Sequence, residues 1–366
     1  MGAHNATVGM DAESLFDGFS RRDWDTGATG TVRVAMVGLG WWTTDEAMPA
    51  VAASERCETT VVVSGSASKA ARVAAEHGLA AGLTYEAFRE GEASDAYDAV
   101  YVCTPNAAHL ETAVAAAEMG KHTLCEKPME ASAARAEEMV AAFAGSDAEL
   151  MVAYRMHTEP AVRRMRDIIS EGYVGEPCHV HGHMSQRLLE MIPNEDQWRL
   201  DPSLAGSGAS LTDLGVYPIN TARFVLDADP VAVSAQMTSG SAGFEDVPDE
   251  RATLALTYEG EVLASISASQ NAHEAGHLRI VGTEGEVTLD PCFVTNEGQT
   301  LELRRGGVTT EVHTPKVNQM REEFEYFADR VLGGEPIEPD GEHGLHDMRT
   351  LEAAYEAAES GERREI

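Results

Sequence analysis

The stretch that most constrains the fold is Val32-Arg33-Val34-Ala35-Met36-Val37, which runs without a spacer into Gly38-Leu39-Gly40. An apolar, β-branched run ending in closely spaced glycines reads as a strand that turns sharply into a helix. The turn needs glycine, and a ligand can approach the backbone closely only where no Cβ intervenes. The pattern then recurs. Thr59 to Val63 is a second β-branched run, Lys69 to Glu76 an alanine-rich helix, and Ala99 to Cys103 a third strand. A helix follows, expected to be capped by Asn106 and ended by Gly120, and then a strand around Thr123 to Cys125. Strands alternating with helices of about 10 to 15 residues predict a parallel, doubly wound sheet with helices on both faces.

The periodicity changes after about residue 175. Segments 178–187, 231–238, 251–258, 262–269 and 277–289 alternate with a period of two, with Leu254, Leu256 and Tyr258 on one face and Thr253, Ala255 and Thr257 on the other. Such strands predict a largely antiparallel sheet with one face on a core. The small residues of the other face suit a covering second subunit. Helix 318–332, striped by Met320, Phe324, Phe327 and Val331, ends at Gly333-Gly334. The expected class is therefore α/β: an N-terminal doubly wound parallel sheet, plus a C-terminal α+β domain with a large, mainly antiparallel, open-faced sheet. The expected division is an N-terminal arm (1–31), a dinucleotide-binding domain (32–152), a substrate and oligomerisation domain (153–342), and a C-terminal helix (343–366) packing back on the first domain.

Charge narrows the partners. The chain has 366 residues, with 61 acidic against 27 basic ones and a formal net charge of -34. Such a surface repels nucleic-acid phosphates and anionic membranes, so neither is an expected partner. No apolar run approaches the roughly 18 residues of a membrane span. Disordered acidic chains lack the hydrophobic periodicity seen here. The carboxylate-rich, lysine-poor composition instead suits a folded protein in molar salt, where the Debye length shrinks to about 3 Å and self-repulsion is screened. The five cysteines are widely spaced and form no Cys-x-x-Cys pair, which predicts buried thiols in a reducing cytoplasm. Ser20-Arg21-Arg22 is followed by Asp23-Trp24-Asp25 and not by an apolar segment, so residues 1–31 read as an arm, not as an export signal.

Several positions carry chemistry. In the glycine turn, the third glycine of a dinucleotide fingerprint is replaced by Thr43. The second strand runs out into Ser64-Gly65-Ser66-Ala67-Ser68-Lys69, where hydroxyls and an ammonium suit a 2′-phosphate and the usual acidic residue is missing, favouring NADP over NAD. Cys125-Glu126-Lys127-Pro128 directly follows a strand, which puts Lys127 at the carboxyl edge of the sheet, facing the ligand crevice. Asp213 and Tyr217, four apart, share a face if helical. His181 and His183 share a strand face, but no third ligand accompanies them, so no metal is expected. His109 and His157 read as packing or supporting residues.

Taken together these elements resemble the Gfo/Idh/MocA oxidoreductases, in particular the glucose–fructose oxidoreductase-like branch. The resemblance runs from Val32 to the C-terminus. It rests on Gly38-Leu39-Gly40, Ser64-Gly65 with Lys69, Tyr101 to His109, Gly120-Lys121-His122 leading to Glu126-Lys127-Pro128, Tyr154-Arg155-Met156-His157, Gln197-Trp198-Arg199, and Asp213 to Tyr217. It implies a Rossmann domain and an NADP cofactor held by Gly38, Leu39, Gly40, Trp41, Trp42, Ser64, Gly65, Lys69, Thr104, Pro105, Asn106, His109, Glu126, Lys127, Arg155, Trp198 and Arg199. It further implies Lys127 as the lysine that orients the reacting hydroxyl, Tyr217 as the acid–base group, and Asp213 as a sugar-binding support for both. Arg155 joins these three in binding substrate.

The function implied by the resemblance is oxidation of an aldose, D-xylose by the best match, at C1 to its lactone, in a cytoplasmic homodimer or homotetramer formed through the C-terminal sheet. Tyr217, with the Lys127 ammonium beside it to favour its anion, would remove the anomeric hydroxyl proton. No residue distinguishes a pentose from a hexose. Two alternatives stay open: another NADP-dependent dehydrogenase of the same family, acting on glucose or another aldose, a polyol or a dihydrodiol, and a dinucleotide-sensing regulator without catalysis.

Overall fold

The computed structural model describes residues 20–294, 298–314 and 316–366, so residues 1–19 of the expected arm lie outside the described residues. Six parallel strands, β1 (Val32–Val37), β2 (Cys57–Val63), β3 (Ala81–Leu83), β4 (Ala99–Val102), β5 (His122–Glu126) and β6 (Leu150–Ala153), lie in the order β3-β2-β1-β4-β5-β6. The order reverses between β1 and β4, which opens a crevice above their carboxyl ends. Both faces are covered, and β4 and β6 are buried along their whole length.

The helix after β4 differs from the sequence expectation. A short 3₁₀ turn, Asn106–Ala108, precedes helix His109–Glu118, which has no side-chain cap. The Asn106 amide instead donates to the Ala205 carbonyl at 2.9 Å, because burial beside the short helix Pro202–Ala205 of the other domain offers it a long-range acceptor.

The remaining strands are β7 (Pro177–Arg187), β8 (Pro230–Thr238), β9 (Arg251–Tyr258), β10 (Leu263–Ser269), β11 (Asn271–Gly282), β12 (Gly285–Leu289), β13 (Thr300–Arg305), β14 (Val308–His313) and β15 (Arg364–Glu365). They form one nine-stranded sheet ordered β14-β13-β12-β11-β7-β10-β9-β8-β15, antiparallel except where β10 runs parallel to β7. The single segment 277–289 read from the sequence is two strands: a turn at Thr283-Glu284 splits it into a hairpin. Inner positions of β9 and β10 (Ala252, Leu254, Leu256, Tyr258, Ala264, Ile266, Ala268) are buried, as the alternation requires. Helix Val216–Leu226 sits close on this sheet at Gly182, where a Cβ would come within 2.7 Å of the Pro218 side chain.

Two C-terminal helices join the halves. Helix Gln319–Gly333 buries Phe324, Phe327 and Met320 against Val34, Met36 and Tyr101 of the parallel sheet. Helix Gly341–Ser360 lies between β8 and helix Ala133–Ala144, touching both domains. Among the described residues, no helix is long and apolar enough to cross a membrane.

Candidate active site

The crevice above β1 and β4 is a groove continuous with a cavity of about 380 Å³ between the domains. The groove is built by the glycine turn. A Cβ on Gly38 would lie 2.1 Å from the Cys103 carbonyl oxygen, so only glycine fits, whereas one on Gly40 would project into open space. Thr43, which stands for the third glycine, is buried and its hydroxyl donates to the Gly38 carbonyl at 2.6 Å, closing the turn from within.

Ten of the residues expected to hold a dinucleotide line this groove: Gly38, Leu39, Gly40, Trp41, Trp42, Ser64, Thr104, Pro105, Trp198 and Arg199. Gly65 and Lys69 do not. Gly65 packs over the Tyr85 ring, and the Lys69 ammonium bonds the Leu39 carbonyl, which brings a cation to the turn. β2 ends in Val63-Ser64, with no acidic side chain at its tip. Among the described residues, the buried hydroxyl of Thr104 and the buried side-chain oxygen of Gln197 have no hydrogen-bond partner. A shallow glycine cradle, orphaned polar atoms on its walls and a cation at its turn fit a dinucleotide phosphate chain.

The cavity gathers the other expected residues. Lys127 follows β5 directly, and its Nζ donates to the Asp213 main-chain carbonyl (2.8 Å) and to Asp213 Oδ1 (3.1 Å). Asp213 also receives Arg199 Nε at 3.1 Å. Burial opposes its charge, but Lys127 and Arg199 outweigh burial and hold its carboxyl below the usual range. Burial likewise works against the Lys127 ammonium, yet the electrostatic influence of the neighbouring Tyr217, Asp213 and Glu126 leaves it raised. Asp213 stands in a wide π-type turn, Leu211–Gly215, that leads into helix Val216–Leu226. Such turns recur at functional sites because they re-aim side chains. Here Asp213, Leu214 and Tyr217 all face the cavity.

Lys127 Nζ lies 4.5 Å and the Arg155 guanidinium 4.7 Å from the Tyr217 ring centroid. Arg155 follows β6 and is buried. Its Nε donates to the Tyr217 hydroxyl oxygen at 3.0 Å, and its other nitrogens bond the Phe293 carbonyl at 2.7 Å and the Gln319 side chain. Glu126 accepts from Tyr101 (2.7 Å) and from the Trp42 indole (3.1 Å), tying β4 and β5 to the glycine turn. The Arg199 guanidinium stacks on Trp198.

The histidines do other work. His109 is wedged between the Thr104 and Met129 carbonyls and braces two loops under the cavity. His157 stacks on Phe224 and pairs with Asn220. His183 bonds Ser267 and Ser185, and among the described residues no cluster of three or more metal-binding side chains exists. Cys103 lines the cavity, but burial pushes its thiol up to about 12, which keeps it from acting as a nucleophile.

Sequence reasoning missed Gln270, whose buried amide donates to Asp213 Oδ2 at 2.8 Å, and Gln319, which holds Arg155. The signal for Gln270 was a polar residue on the inward phase of β10, two beyond Ala268. Gln319 lies 164 residues from its arginine and left none.

Fold and site define a dinucleotide-binding oxidoreductase. Residues 32–154 match the oxidoreductase family with an NAD-binding Rossmann fold, and residues 162–288 match the GFO/IDH/MocA C-terminal domain. The chain belongs to the GFO/IDH/MocA oxidoreductase family. It is 52% identical over 354 residues to a D-xylose 1-dehydrogenase (NADP+) of Haloarcula marismortui, an alignment covering 96% of this chain and 98% of that one. A D-xylose 1-dehydrogenase (NADP+) of Haloferax volcanii is 32% identical over 86% of this chain and 93% of its own. Among solved structures, an aldose-aldose oxidoreductase from Caulobacter crescentus complexed with glycerol superposes with a TM-score of 0.85 at 28% identity, covering 92% of this chain and all of that one.

Proposed function

We propose that this protein oxidises D-xylose at C1 to its lactone with NADP as the hydride acceptor. The observation that carries the reading is the convergence of Lys127, Asp213, Arg155 and Tyr217 on one cavity that continues into the glycine-turn groove. The 52% identity to a D-xylose 1-dehydrogenase supports the pentose. The acid-free end of β2, with Ser64 on the groove wall and Lys69 at the turn, supports the 2′-phosphate.

Bound NADP supplies a nicotinamide ring that accepts hydride. The chain supplies the proton chemistry. Lys127, locked by Asp213, holds the anomeric hydroxyl as a hydrogen-bond donor. Tyr217 takes the proton of that hydroxyl as the C1 hydride departs, and the C1–O bond becomes a carbonyl. Arg155 donates to the phenolic oxygen and so fixes its position and stabilises negative charge on it.

NADPH fluorescence in molar salt, with xylose, glucose, arabinose and inositol each offered with NADP and with NAD, tests this reading. Fast turnover of xylose with NADP is the expected result. Turnover of inositol alone would transfer the site to a polyol, and NADP binding without any turnover would make the protein a dinucleotide sensor.

We also infer a homodimer or homotetramer through the open face of the nine-stranded sheet. The outward positions of β7 to β10, such as His181, Ser234, Thr253 and Ser265, carry no carboxylate, in a chain with 61 acidic residues. The same excess of acid supports a halophilic setting, and the five free thiols support a reducing, cytoplasmic one.

A further inference from the structure

One wall of the cavity has no part in the chemistry above. On β11 and β7, Asn271 pairs with Arg187 and Ala275 with Ser185, so three residues, Ala272, His273 and Glu274, stand opposite the single Gln186. Excess residues on one strand bulge, and bulges re-aim side chains beside sites. This one is fastened by Ser185, whose hydroxyl donates to the His273 carbonyl at 2.6 Å. Gln186 and Glu274 both line the cavity that holds Asp213 and Tyr217.

The direction of the Gln186 amide follows from Asp213. As an anion paired with Lys127 and Arg199, Asp213 can only accept hydrogen bonds. Gln270 must therefore present its NH₂ to Asp213, which turns its carbonyl toward Gln186. The Gln186 Nε2 donates to that carbonyl at 2.8 Å. The Gln186 Oε1 is then the end left for a ligand, and it bonds no protein group among the described residues. The wall thus offers two acceptors, Gln186 Oε1 and the Glu274 carboxylate. Of the three cavity cations, Arg199 is paired with Asp213 and Arg155 with Tyr217, Phe293 and Gln319, while Lys127 gives two of its three donors to Asp213 and keeps one for the hydroxyl at C1.

We propose that the β11 bulge makes Gln186 and Glu274 the specificity wall of the sugar site. They accept hydrogen bonds from hydroxyls remote from C1 and exclude anionic relatives of the sugar, both phosphorylated aldoses and the aldonate formed when water opens the lactone. The proposal rests on the aldose reading above and adds the residues that select among sugars.

Steady-state kinetics of the full-length protein in molar salt test it, with wild type, Gln186→Leu and Glu274→Gln compared for xylose KM, NADP KM and inhibition by D-xylonate. Gln186→Leu should raise the xylose KM by about tenfold and leave the NADP KM unchanged, since one hydrogen bond from a buried-site acceptor is lost. Glu274→Gln should strengthen xylonate inhibition by about fivefold or more, because a repelling charge becomes a neutral amide. A xylose KM in Gln186→Leu, or a xylonate inhibition constant in Glu274→Gln, within twofold of wild type overturns the wall while leaving the aldose reading intact. A wild type that binds NADP but oxidises no aldose removes the reading itself. If Gln186→Leu melts before it can be assayed, Gln186→Asn, which keeps the amide but falls one methylene short, replaces it with the same criterion.

Discussion

Arg155 and Tyr217 meet from opposite halves of the molecule, with the arginine Nε 3.0 Å from the phenolic oxygen. Arg155 follows the last parallel strand, and Tyr217 sits in the first turn of the helix that packs on the nine-stranded sheet. The proposed acid–base group, Tyr217, is therefore positioned by both domains at once.

Removing the phenolic oxygen should remove the proton acceptor and little else. Tyr217→Phe is expected to lower kcat by about 10² to 10⁴-fold while NADP still binds, as followed by NADP titration against tryptophan fluorescence. Arg155→Met should lower kcat more than it raises the NADP KM. Unchanged turnover in Tyr217→Phe would take that residue out of the mechanism.

Lys69 should decide between cofactors. Lys69→Ala is expected to raise the NADP KM by about tenfold, the equivalent of roughly 1.4 kcal/mol, and to leave the NAD KM near its original value. Equal losses with both cofactors would mean that the ammonium serves only to hold the Leu39 carbonyl.

Acid should unfold the protein through buried histidines. His343 is driven down to about 3 by burial and then by Arg223, and burial together with His343 drives His157 well below its ordinary value. Both are neutral when folded, so the unfolded chain binds more protons below pH 6.5, and stability falls as pH drops from 6.5 toward 3. Each such histidine contributes a slope of about 1.4 kcal/mol per pH unit within that window. Between pH 6.5 and 4.5, chemical denaturation of His343→Gln should therefore show a shallower pH dependence than wild type by about that amount.

Glu323 should be a stability cost at neutral pH. Both of its carboxyl oxygens are buried without a hydrogen-bond partner among the described residues, and burial followed by the charge of Glu126 pushes its pKa well above the carboxylate range. It stays protonated in the fold while the unfolded chain ionises above about pH 4.5, so its penalty grows as pH rises. Glu323→Gln should raise the melting temperature at pH 7 and have little effect at pH 4. A lower melting temperature at pH 7 would reveal an undetected ion pair.

Salt should stabilise the fold. With a net charge of -34, lowering salt from molar to about 0.1 M lengthens the Debye length from about 3 to 10 Å and exposes self-repulsion. The melting temperature should fall over this range, and an unchanged value would detach the acidity from habitat.

Much of the architecture was legible along the chain. Alternating runs with periods of two and of 3.6 are local properties, so the parallel sheet, the later antiparallel strands and the glycine turn could be read directly. Chemical character was local too: Lys127 after a strand, a hydroxyl-rich end to β2, and Asp213 and Tyr217 one turn apart. What the linear order could not express is which distant groups share a space. Gln319 meets Arg155 across 164 residues, Gln270 meets Asp213 across 57, and three residues of β11 face one of β7. The Asn106 cap failed for the same reason, because burial next to Ala205 offered its amide a better partner than its own helix. A buried polar group must find a hydrogen bond wherever the packed chain supplies one, and that supply is decided only when the two domains close on each other.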